Sequence, residues 1–109
     1  MPQATFVFEG DTIDFTAAAA VVVGDVVVQG DLVGVVTRAL AIGELGSLIV
    51  EGVLDFTKLT NVAFTAGQIL YWDDTNNVVT ATATGNKVIG KVVRAALTAD
   101  PTVRIRMSQ

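Results

Sequence analysis

The chain reads as an all-β protein, a compact β-barrel or β-sandwich of about eight to ten short strands. Three observations carry this expectation. Valine, isoleucine, threonine and aromatic residues recur in short runs, as strands require. Gly-Asp, Gly-Asn and Asp-Asn clusters separate the runs, and these residues bond their own backbone or accept left-handed turns. No stretch keeps apolar residues at helical spacing over the length of a helix.

The elements follow in order. Residues 5–8 are a short β-forming run, Glu9-Gly10-Asp11 a turn, and residues 12–15 a strand with Ile13 and Phe15 on one face. Residues 16–23 contain four alanines, which favour helix, but three valines follow them. Gly24-Asp25 ends that segment, which reads as a loop. Residues 26–28 and 32–37 are strands about a turn at Gln29-Gly30-Asp31. Residues 38–46 are a connection. Residues 47–56 read as one longer strand, with Gly52 as a bulge or bend inside it. After a loop come strands at 68–72, 78–84 and 87–94, turning at Asp73-Asp74-Thr75-Asn76-Asn77 and at Thr84-Gly85-Asn86. In the last strand, 102–107, Val103, Ile105 and Met107 face in while Arg104 and Arg106 face out.

A faint internal repeat runs through these elements. Residues 24–28 echo 67–71, residues 33–36 echo 89–93, and residues 47–51 correspond to 102–106. Two such units suit a pseudo-twofold packing.

Composition narrows the function classes. The 109 residues suit one domain, 9–109, preceded by an extended arm, 1–8. There is no cysteine and no histidine, hence no disulfide, no thiolate metal site and none of the commonest general base. The longest apolar run, residues 17–23, is far below the roughly 18 residues that span a bilayer, so no membrane association is expected. Met1-Pro2-Gln3 lacks the basic start of a signal peptide, which predicts a soluble protein made inside a cell. Charged residues are only 17%, and a low-charge, valine-rich chain suggests surfaces covered by partners.

Charge is also segregated. Residues 1–37 hold Glu9, Asp11, Asp14, Asp25 and Asp31 and no base. Residues 85–109 hold Lys87, Lys91, Arg94, Arg104 and Arg106 against Asp100 alone. The simpler expectation is that the two ends lie side by side in one sheet, where opposite charges attract. The sharper one is that the acidic part of one subunit meets the basic part of its neighbour. The net charge of −4 disfavours nucleic acid as a partner.

No constellation for catalysis stands out. Asp73 to Asn77 lacks the alternating ligands and closing Glu of a calcium loop, so turn chemistry accounts for it. The carboxylate pairs Asp11 with Asp14 and Asp73 with Asp74 lie in or beside turns. Ser47 and Ser108, the two serines, have no nucleophile elbow around them. The expectation is no enzyme, no cofactor and no metal. The candidate contact residues are of two kinds. Pro2, Gln3, Ala4, Thr5, Phe6, Val7 and Phe8 form an extended, uncharged arm with two aromatics, the preferred partner-binding element. Tyr71 and Trp72, the one adjacent aromatic pair, with Arg104 and Arg106, are candidates for a subunit interface.

The order of several weak motifs carries a resemblance. GDTIDFTAAAAVVVGDVVVQGDLVGVV at the start, YWD followed by TATGN and IGKVV in the middle, and TADPTVRIRM at the end resemble the tailed-phage head decoration proteins, also called capsid cement or head-stabilising proteins. The resemblance covers nearly the whole chain. It implies a structural protein on the outer surface of the virion, made in the host cytoplasm, that binds the major capsid protein and clamps neighbouring subunits after the head expands. It also implies a homo-oligomer, a trimer at local threefold sites, with the arm attaching to the shell. The alternative is a small β-clip-like module that binds carbohydrate or protein.

Overall fold

The computed structural model describes residue 3 and residues 10–109. Of the expected arm only Gln3 is described, and it is exposed; the others lie outside the described residues. Nine strands and no helix are found among the described residues. They are β1 (Thr12–Thr16), β2 (Val26–Gln29), β3 (Leu32–Val36), β4 (Leu45–Ile49), β5 (Gly52–Thr57), β6 (Ile69–Asp73), β7 (Val78–Thr80), β8 (Lys87–Arg94) and β9 (Thr102–Met107). All pairings are antiparallel, in a four-stranded sheet ordered β1-β4-β3-β2 and a five-stranded sheet ordered β5-β9-β8-β6-β7. Neither sheet is a closed barrel. The fold class is all-β.

The expected long strand over 47–56 is two strands. It breaks at Val50-Glu51, whose N–H groups both turn to Asp11 O. Gly52 then takes φ +139°, a backbone state that side chains disfavour, and β5 begins the second sheet there. The return strand expected over 78–84 stops at Thr80, because Thr82 N–H and the residues after it bond within a turn.

The internal repeat is real in hydrogen bonds. Val21 and Leu40 exchange both backbone bonds, at 3.0 and 2.9 Å, and so do Phe64 and Ala96, at 3.0 and 2.9 Å. Gly24 N–H donates to Val36 O and Val36 N–H to Asp25 O; Gly67 N–H donates to Val92 O and Val92 N–H to Gln68 O. The turns repeat even in their side-chain caps. Asp25 accepts from Val22 N–H as Gln68 does from Thr65 N–H, and Glu44 accepts from Ala41 N–H as Asp100 does from Leu97 N–H. The first repeat is thus β1–β4 and the second β5–β9, with β7 as an insertion. One register expectation shifts. Ala17 N–H bonds Glu44 O as Lys58 N–H bonds Pro101 O, which matches Leu45 rather than Ser47 to Thr102.

Two hydrophobic clusters follow this plan. The larger holds Phe56, Leu70, Trp72, Val79, Ile89, Val103, Ile105 and Met107, with Val33 and Val35 of β3 joining it from the first repeat. The smaller holds Phe15, Ala17, Val36, Leu40 and Leu48. A fully buried Leu or Ile contributes about 1.5–3 kcal/mol, so the second repeat is the better anchored. Close strand packing needs glycine at one repeated position. A Cβ on Gly90 would stand 2.0 Å from Arg106 O, and one on Gly34 would stand 2.7 Å from Leu48 Cβ.

Candidate functional site

The outer face of the five-stranded sheet gathers the basic end of the chain. On β9, Val103, Ile105 and Met107 are buried while Arg104 and Arg106 are exposed, as the alternation predicts. β8 places Lys91 opposite Arg106 and Arg94 opposite Arg104. Like charges facing across a ladder repel, so the sheet needs acids nearby. β5 supplies one: Arg104 Nε donates to Asp55 Oδ1 at 3.0 Å and an Nη to Oδ2 at 3.2 Å. Arg106 lies 3.7 Å from Glu51. The hydrogen bond from Arg104, and then the Arg104 and Arg94 charges, hold the Asp55 carboxyl below its usual range against slight desolvation; the same pair raises Arg104. Lys91 and Arg94 have no salt bridge among the described residues.

The acidic end lies elsewhere. β1 to β3 belong to the other, four-stranded sheet, so the two ends do not share one sheet as the simpler charge expectation had it. The reason is the duplication: each repeat pairs its own strands. One contact crosses between the ends, Lys87 Nζ to Asp31 at 2.6 Å, which lowers the Asp31 carboxyl through its hydrogen bond and charge. Both side chains are exposed, so the pair adds little to stability.

Tyr71 and Trp72 point to opposite sides, as strand alternation predicts. Trp72 is 4% exposed, its ring centroid 6.2 Å from that of Phe56, and its indole N–H donates to Asp74. Tyr71 is half-buried and is the ring with surface left over. The Asp73 to Asn77 segment behaves as turn chemistry. Asp73 accepts from Thr75 N–H, Asn76 N–H and the Asn76 side chain, which together lower its carboxyl, the Asn76 side chain most. Asn77 follows with φ +57°.

Sequence reasoning missed two features. Lys58 is buried, with its ammonium donating to Leu59 O and Asp100 O at 2.8 and 2.7 Å; its counterpart in the first repeat is Ala17. A lone lysine in a loop carries no signal of this. The other is a set of exposed apolar side chains in the first repeat, Val22, Val23, Ile42 and Leu45. Among the described residues no group of three or more His, Cys, Asp or Glu is placed to hold a metal ion.

A family model described as "Phage cement protein" matches residues 7–107. The chain belongs to the phage cement protein family. That is a structural family associated with the capsid, so the resemblance seen in the motifs is the correct one, and its place is the virion. No curated protein and no solved structure matches the chain.

Proposed function

We propose that this cement protein binds the outer surface of the expanded head and clamps neighbouring major capsid subunits against the outward push of the packaged genome. The observation that carries this reading is the membership of a cement family over residues 7–107, joined to ten large exposed hydrophobic side chains among the described residues. The acidic balance suits an outer surface rather than a DNA-facing one.

The attachment element in this reading is the arm Pro2, Gln3, Ala4, Thr5, Phe6, Val7 and Phe8, adding a strand to an exposed sheet edge of the shell. Each backbone bond so made nets about 0.5–1.5 kcal/mol, so one short arm binds weakly. Three arms on a trimer gain by effective concentration, on the order of 10²–10⁴-fold. Charge segregation supports the oligomer. The basic face with Arg104 and Arg106, edged by Tyr71, suits the acidic first repeat of a neighbouring copy. Such a head-to-tail contact closes into a ring when its rotation allows. Trp72 takes part in this only from behind, as the core support of its strand.

The test is co-sedimentation with expanded empty heads that lack the protein. The full chain should saturate a fixed number of sites. A chain without residues 1–8 should remain folded and lose binding about a hundredfold or more. Equal binding by the truncated chain would remove the arm from the reading, and no binding by the full chain would remove the shell.

A further inference from the structure

The second repeat contains a strand that the first lacks. β7 returns from the Asp74–Asn77 turn, pairs with β6, and places Val79 in the core at 3% exposure. It leans toward β5, where Thr57 Oγ donates to Asn77 O at 2.9 Å. In the first repeat, β2 passes straight into β3 through Gly30-Asp31. No strand among the described residues takes the β7 place.

The consequence is an open edge. Val33 directs its N–H and C=O to the Gln109 side chain, at 2.7 and 2.6 Å. They therefore point away from β2, and Val28, which faces Val33 in an antiparallel ladder, must point its own pair away from β3. Val26, two residues back, does the same. Among the described residues β2 pairs with β3 alone, so these N–H and C=O groups stand unpaired on the outer edge. In the repeat alignment Val28 corresponds to Tyr71, the residue that pairs with Thr80 of β7. The open position is thus the one the other repeat fills with a strand.

A cleft of about 760 Å³ lies beside the first half of this edge, at Val26 and Val27. Asp25, Val26 and Val27 form one wall, and Leu54, Asp55 and Thr57 of β5 form the other. Its lining contains two carboxylates and no base; Asp55 is already paired with Arg104, which leaves Asp25 as the acid with no ion pair among the described residues. We propose that this cleft is a strand-acceptor groove that takes an extended segment of the shell protein, apolar at alternate positions and carrying a Lys or Arg. The inference rests on the reading of the chain as shell-binding and adds the receiving site on the chain itself. The chain's own residues 1–9 contain Glu9 and no Lys or Arg, and so match Asp25 less well. Clamping then runs both ways: the cement protein gives an arm and receives a strand.

The test uses the full-length protein on expanded heads. A photo-cross-linking amino acid replaces Gln29, exposed at the end of β2, and the cross-linked peptide is identified by mass spectrometry. The expected product joins residue 29 to a Lys- or Arg-bearing segment of the major capsid protein. Cross-linking to residues 1–9 of another copy, or none on heads that carry the protein, would overturn the proposal. A second variant, Val26→Pro, removes an outward N–H that borders the cleft while sparing the bonds to β3, because proline is tolerated on an edge. It should weaken head binding about tenfold or more with an unchanged melting temperature. Unchanged binding would overturn the groove. Heads that fail to take up the unmodified protein would overturn the shell reading, and the groove with it.

Discussion

Val27 and Leu70 hold the same place in the two repeats, yet Leu70 is fully buried and Val27 only half-buried. Val21 and Phe64 differ in the same way, as do Val50 and Met107. The hydrogen-bond plan of the two repeats is shared almost bond for bond, so backbone pairing is not the cause. The second repeat has β7 and the Trp72–Phe56 pair over its interior, and the first has neither. The comparison teaches that the second repeat has the more completely buried interior, while the first, among the described residues, leaves the outer edge of β2 without a neighbouring strand.

The repeated glycines give the largest expected effect. Gly90→Ala sets a methyl 2.0 Å from a backbone oxygen of β9, which no side-chain rotation relieves. We expect a loss of about 4 kcal/mol or more, read as failure to fold or a collapse of the denaturation midpoint. Gly34→Ala meets the Leu48 side chain instead and should cost about 1–3 kcal/mol. Equal costs would break the claim that the repeats are unequally anchored.

Large-to-small substitutions sharpen it. Leu70→Ala should cost about 2–5 kcal/mol by denaturant unfolding, and Val27→Ala about 1 kcal/mol or less. Should Val27→Ala prove as costly as Leu70→Ala, the first repeat is roofed by something outside the described residues.

Acid separates the repeats more gently. Asp55 and Asp73, both in the second repeat, have lowered carboxyl pKa values, as does Asp31. A folded-state value below the unfolded one adds stability above the unfolded pKa of about 3.9, lost as pH falls through the folded value. Thermal unfolding should therefore hold level from neutral pH down to about pH 5 and then decline below about pH 4. With no histidine in the chain, no step is expected between pH 6 and 8.

The smallest effect is on the basic face. Arg104 and Asp55 are nearly half exposed and their pairing is screened by solvent, so Arg104→Ala should leave the denaturation midpoint almost unchanged. If the basic face docks on a neighbour, the same variant should raise the concentration at which the chain self-associates in sedimentation velocity, and added salt should imitate it.

Much of this was legible beforehand, and what was hidden has physical causes. Strands β8 and β9 match their expected ranges, because period-2 alternation in Thr102–Met107 and turn residues around Lys87–Arg94 are local signals. The repeat was visible in its Gly-Val echoes. The break at Val50-Glu51 was not, since it depends on Asp11 O, some 40 residues earlier in the chain, taking both N–H groups. The sheet assignment of the charged ends also needed the topology, because charge patterning does not say which strands pair. Strand alternation could say that one of Tyr71 and Trp72 is buried, and only packing says that it is Trp72.

The most direct measurement of the central claim is the thermal disruption of expanded, DNA-free heads with and without the added protein, followed by calorimetry or light scattering. The account predicts uptake at a fixed number of sites per head and disruption at a clearly higher temperature. Heads that take up the protein and come apart at the same temperature as bare ones would contradict it.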